Sequence, residues 1–183
     1  MMKLRFLCTF GILLALLLCV NGQQQPAREK PTPKISFEFE DECGDPTMES
    51  MVWFSIEGTV VEIIAGDLVK LQDNHGKQRM VNLVAIDASS AKDASSLLSD
   101  LVLNHKVRVL VNPSNSQGYT LVGVVERSGK DVNRELLAAG AAKYKQPAPY
   151  SVSGYTACVY RIVERKAREA GKGVWQRANP ANP

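Results

Sequence analysis

The sequence contains no close Cys-x-x-Cys pair, no second ligand at metal spacing from either His75 or His105, and no internal repeat. These gaps exclude a dithiol redox motif, a zinc-finger type of site and a solenoid. A basic excess is also missing. The whole chain carries 22 Lys and Arg against 19 Asp and Glu, and without Lys3 and Arg5 of the first 22 residues the basic count falls to 20. A protein that holds nucleic acid chiefly by phosphate neutralisation needs more positive charge than that, so the net charge alone gives no support to such a function. Beyond the N-terminal run no apolar stretch is long enough to span a bilayer.

What is present begins with MMKLRFLCTFGILLALLLCVNGQQQ, where Lys3 and Arg5 precede an apolar run that closes at Val20 and Gly22. This is the form of a secretory signal peptide, residues 1–22, cleaved after Gly22, and it predicts an extracellular or periplasmic protein. A membrane anchor would need a basic flank on the far side, where Gln23, Gln24 and Gln25 stand instead. A lipid anchor on Cys19 is the other alternative, disfavoured by the bulky Leu18 before it.

Of the four cysteines, Cys8 and Cys19 belong to the signal, which leaves Cys43 and Cys158 as a single possible pair in an exported chain. Their bridge would close a long loop and tie the leader, residues 23–50, to the last helix. The leader opens with the proline-containing QQQPAREKPTPK, whose lack of periodicity predicts a flexible linker. ISFEFE then alternates apolar and polar residues over a length that fits one short strand. Acidic residues Glu38, Glu40, Asp41, Glu42, Asp45 and Glu49 gather here, and basic residues Arg161, Arg165, Lys166, Arg168, Lys172 and Arg177 at the other end. A solvated helix face and an acidic lead-in account for both clusters, with a docking stripe as the alternative.

The main domain is expected over residues 51–177, with a short disordered tail at 178–183. WFSIEGTVVEII, LVKLQD and RMVNLVAI are β-branched runs separated by the turns Ala65-Gly66-Asp67 and Asp73-Asn74-His75-Gly76, a strand meander. The period then changes. Ala94, Leu97, Leu98, Leu101 and Val102 share one helical face, and Ser90 with Asp93 three residues later has the form of a capping box. KVRVLV and YTLVGVVE supply two more strands, and helices are expected over Asp131–Ala139, ending at Gly140, and over Thr156–Ala170. The order predicts an α+β fold, a five-stranded OB-fold barrel with three packed helices.

Asp67 and Asp87 each leave a strand end, so adjacent strands can bring both carboxylates to one rim, the beginning of a hard-cation site. The plainer alternative is that Asp67 serves its turn and Asp87 the start of the following helix. Lys70 and Lys77 could touch a nucleic-acid backbone or simply solubilise the strands that carry them, and Tyr144 and Tyr150 border a late loop where a base or peptide could stack.

GDLVKL, VNLVAIDASS, the amphipathic helix, the loop ending in Gly118, SGKDVNRELLAAGAAKY and ERKAREAGKGVWQ together resemble the staphylococcal nuclease, or thermonuclease-like, family over about Trp53–Gln176. The resemblance implies an oligonucleotide-binding barrel that cleaves DNA or RNA with calcium. It implies calcium ligands at Asp67, Asp87 and the backbone carbonyl of Ala88. It also implies two phosphate-clamping arginines and a glutamate acting on water. At those positions stand Asn82, Tyr119 and Ser90. Asn82 offers no charged fork, Tyr119 no positive charge and Ser90 no base at neutral pH. The expectation is a secreted domain that keeps a weak calcium site and has lost its catalytic set, acting as a binding module for nucleic acid or protein. The alternatives are an active calcium-dependent nuclease and a structural domain whose calcium serves stability only.

Overall fold

The computed structural model describes residues 38–48, 53–113 and 120–176. The signal segment, the linker and the first half of ISFEFE, and also Gly118, Tyr119 and the tail, lie outside the described residues.

Strand β1, Phe54–Ala65, is the longest, and it serves two neighbours. Its first half pairs antiparallel with β5, Lys106–Val111, and its second half with β2, Leu68–Asp73. Two register shifts, between Val60 and Glu62 and between Ile63 and Ala65, bend it from one partner toward the other. Gly58 marks the handover, pairing with both Asp73 and Val107. A Cβ there would lie 2.4 Å from the Gln72 carbonyl oxygen, so only glycine lets the strands approach. β3, Gln78–Leu83, follows β2, and β6, Thr120–Arg127, pairs antiparallel with β5. Parallel pairing of Met80–Leu83 with Thr120–Gly123 joins β3 to β6 and closes a five-stranded barrel.

Alternate residues fill the barrel, with Val60, Val69, Leu71, Val81, Val109 and Val125 fully buried. Helix α2, Ala94–Val102, covers one end with Ala94, Leu98 and Val102. It starts later than the capping-box pattern predicts. Asp93 is the N-cap residue, its side chain makes no capping bond, and Ser90 lies in the preceding turn. α3, Val132–Ala138, follows the short strand β7, Lys130–Asp131, and is capped by Asp131, whose side chain accepts from the Arg134 amide at 3.0 Å. α4, Gly154–Glu169, is capped by Ser153, buries Val159, Tyr160, Ile162, Val163 and Ala167, and packs chiefly against α3.

The barrel and the three packed helices follow the expectation, and a fourth, one-turn helix is added. α1, Glu40–Cys43, begins at the last residue of ISFEFE; Glu38 and Phe39 before it form a turn where the alternation predicts strand, Phe39 is buried in the core, and residues 35–37 lie outside the described residues. One aromatic ring fixed in this way outweighs a brief alternation. Cys43 and Cys158 form a disulfide with a Cα–Cα distance of 5.7 Å, which ties α1 to α4. The segment around Cys43 is therefore fastened to α4, as the pairing expected from the sequence implies.

Candidate active site at the barrel mouth

The run RMVNLVAI is not one strand. β3 ends at Leu83, and a turn through Val84 and Ala85, with Ala85 at φ 61°, redirects the chain into β4, Ile86–Asp87. β4 leaves the barrel sheet and pairs with β8, Lys143–Tyr144, so that Asp87 stands opposite Lys143. The turn is held by a buried side chain. Asn133 donates from Nδ2 to the Val84 carbonyl at 2.9 Å and accepts from the Val125 amide at 3.1 Å, which locks the strand break to β6 and α3. The asparagine of VNRELL is thus a structural residue.

Asp67 sits in the turn between β1 and β2, and its carbonyl accepts from the Leu83 amide at 2.8 Å. The preceding Gly66 presses on the segment after Asp87: a Cβ there would lie 2.6 Å from Cβ of Ala94 and 2.8 Å from Cβ of Ala88. The turn carrying Asp67 and the residue following Asp87 are therefore in close packing at one end of the barrel. Asp67 lines a cavity of about 590 Å³ with Asn82, Thr120, Val122, Lys145 and Gln146. Asn82 faces outward on β3, between Leu68 of β2 and Val122 of β6, which explains a polar residue in an otherwise apolar strand.

The Asp87 carboxylate accepts from the Ser89 amide at 2.9 Å. Bonds from Ser89 hold its pKa below the usual carboxylate value, and Lys145 and Lys143 add electrostatic support against the opposing effect of burial. Asp87 thus closes a turn before α2, whose N-cap is Asp93. The Ala88 carbonyl accepts from the Ala91 amide at 3.1 Å. Ser90 lines a different cavity, with Lys92, Asp93, Gly140 and Val174, and does not line the one that holds Asp67 and Asn82.

Other residues singled out in the sequence lie elsewhere. Lys70 pairs with Glu62 on the barrel wall. Lys77 is in the β2–β3 turn, at the far end of β2 from Asp67, about 20 Å along a six-residue strand. Tyr144 donates from its hydroxyl to Gln146 at 3.2 Å while its amide donates to Glu164 of α4 at 2.8 Å. Tyr150 is 75 % exposed in the following loop. Arg79, Arg108 and Arg127 are committed to Asp73, Glu126 and the Leu101 carbonyl respectively. None of the three lines the mouth. Sequence reasoning missed Lys143 and Lys145. Their spacing of two in a short strand was the available signal, because it puts both on one side of β8 and its extension.

Calcium takes six to eight oxygen ligands, and two carboxylates supply at most four. Among the described residues no group of three or more His, Cys, Asp or Glu side chains is placed to hold a metal ion. Lys143 and Lys145 add positive charge beside Asp87. Two carboxylates beside two lysines supply little net negative charge, so backbone carbonyls and waters would have to complete any calcium shell here.

A family model described as staphylococcal nuclease homologue matches residues 73–177. Uncharacterized endonucleases of Escherichia coli O157:H7 and of Escherichia coli are each 30 % identical to the chain over 134 residues, 70 % of this chain and 82 % of theirs. The closed barrel, the helix order and these matches lead to one assignment: the chain belongs to the staphylococcal nuclease homologue family.

Proposed function

We propose that the chain is an exported nuclease-homologue domain whose barrel mouth binds single-stranded nucleic acid without efficient cleavage. The observation that carries this reading is the lining of the mouth: Lys145 stands beside Asp67, Asn82 and Thr120, with no arginine or glutamate among the described lining residues. A lysine ammonium attracts a phosphate as a point charge but does not grip it as a bidentate fork. Asn82 stands where the resemblance implies an arginine, and Ser90 where it implies a glutamate. Loss of a general base or of an oxyanion donor each costs about 10²- to 10⁴-fold in rate, and such losses need not multiply. The N-terminal segment and the Cys43–Cys158 disulfide both support export to an oxidising compartment.

The similarity to uncharacterized endonucleases favours a second reading, a working endonuclease. Incubation of the chain from Gln23 with single-stranded DNA and RNA, in calcium and in chelator, separates the two. Binding weakened by Lys145→Ala with no cleavage supports the module. Calcium-dependent cleavage abolished by Asp87→Ala establishes the enzyme. Binding by neither nucleic acid would leave a protein partner as the occupant of the mouth.

A further inference from the structure

A groove of about 250 Å³ on the α3–α4 side of the domain is lined by Arg134, Lys166 and Lys172, and one acidic side chain, Glu38, lies among them. Glu38 belongs to the leader and pairs with Arg134 at 3.5 Å. Four residues later Glu42 pairs with Arg165 of α4 at 3.0 Å. Between the two, Phe39 is buried, with the Arg134 guanidinium 5.9 Å and the Lys166 ammonium 4.9 Å from its ring centre. The disulfide at Cys43 fastens the same segment to α4. An acidic stretch is thereby laid along a basic helix face.

We infer that this face is an oligoanion-binding surface for the phosphate backbone of single-stranded nucleic acid, and that the leader carboxylates Glu38 and Glu42 occupy it as a built-in competitor. The inference takes its ligand class from the proposed function but concerns a separate surface. Both ion pairs are solvent-exposed, with Glu38 66 % and Glu42 51 % accessible. Exposed pairs hold weakly, so a run of phosphates can displace them. The disulfide and the buried Phe39 keep the carboxylates at high local concentration, which sets a threshold for the incoming polyanion. Lys166 of α4, Lys172 three residues beyond its end and Arg134 of α3 line one groove, with Arg165 next to Lys166 in the sequence, a set of cations that a flexible backbone can track.

The test is fluorescence anisotropy of a labelled oligothymidylate with the disulfide-bonded chain and with Glu38→Gln/Glu42→Gln, whose exposed positions keep the fold. Two unmasked cations steepen the slope of log affinity against log salt by about 1.4, a sevenfold larger loss between 50 and 200 mM salt. Adding Arg134→Gln/Arg165→Gln, which removes the two unmasked cations, should cancel the gain in affinity. An unchanged slope in the glutamate variant overturns the proposal, and a gain for heparin alone overturns its nucleic-acid assignment. The gain should persist in a Lys145→Ala background. If it vanishes there, the helix-face proposal fails and the mouth reading stands. If Lys145→Ala never affects binding and the gain remains, the mouth reading fails alone.

Discussion

The Tyr160 hydroxyl donates to the Asp131 carboxylate at 2.8 Å, which joins the middle of α4 to the cap of α3. Burial pushes the Asp131 pKa up to about 6 from an ordinary 3.8, against the lowering effect of the Arg134 amide and the Tyr160 hydroxyl. Burial and the neighbouring carboxylate push the tyrosine well above its usual value. Because the folded pKa exceeds the unfolded one, the native state holds the Asp131 proton more tightly. The associated stability is complete below pH 3.8 and is lost as pH rises through about 6. Relative to Asp131→Asn, the wild type should lose up to about 3 kcal/mol between pH 4 and 7 in urea unfolding. A difference that stays flat with pH would refute this.

The disulfide closes a loop with a sequence separation of 115. Its removal in Cys43→Ser/Cys158→Ser should lower stability by roughly 4 to 5 kcal/mol in the chain-entropy model. Chemical unfolding with and without reductant provides the comparison. The wild type in reductant should match the double serine variant.

Asn133 is fully buried and bonds both to Val84 and to Val125. Asn133→Leu leaves a buried amide and a buried carbonyl without their side-chain partner, at about 1 to 3 kcal/mol each. The Val84–Ala85 turn loses its tie to α3, so Asp87 should shift as well. The melting temperature reports the first effect, and chemical-shift changes at Ser89 and Lys143 the second.

Gly66→Ala places a methyl against Ala88 and Ala94 with no space to receive it. Overpacking of this kind costs about 1 to 3 kcal/mol. Displacement of the Asp67 turn should also weaken oligonucleotide binding at the mouth. Intact binding in a folded Gly66→Ala chain would separate Asp67 from the ligand.

Calcium at millimolar concentration should leave the melting temperature unchanged, since two carboxylates beside two lysines make a poor shell. A rise of several degrees that Asp67→Ala abolishes would show that other oxygens complete the site.

The barrel was legible because its strands are β-branched, alternating and separated by strong turns, as LVKLQD shows residue for residue. The break in RMVNLVAI was not, because Val84 and Ala85 continue the apolar run while the cause of the turn, Asn133, lies 49 positions away. The capping-box pattern at Ser90 failed for a related reason: Asp87 takes the Ser89 amide and the Ala88 carbonyl takes that of Ala91, which uses those residues in turns before the helix begins. Asp67 and Asn82 were identified from the sequence, and the cavity joins them. Lys145 escaped the sequence reading although Lys143 stands two residues before it, because a strand of two residues is too short to show an alternation. The family's last arginine position, Tyr119, lies outside the described residues.

Parallel pairing of β3 with β6 leaves the barrel without a bare flank. An extended peptide that recruits itself to other proteins as one more ribbon would find every main-chain position along that seam already taken. Along that seam recognition is left to side chains, so selectivity there can change by point substitution without unravelling the cylinder.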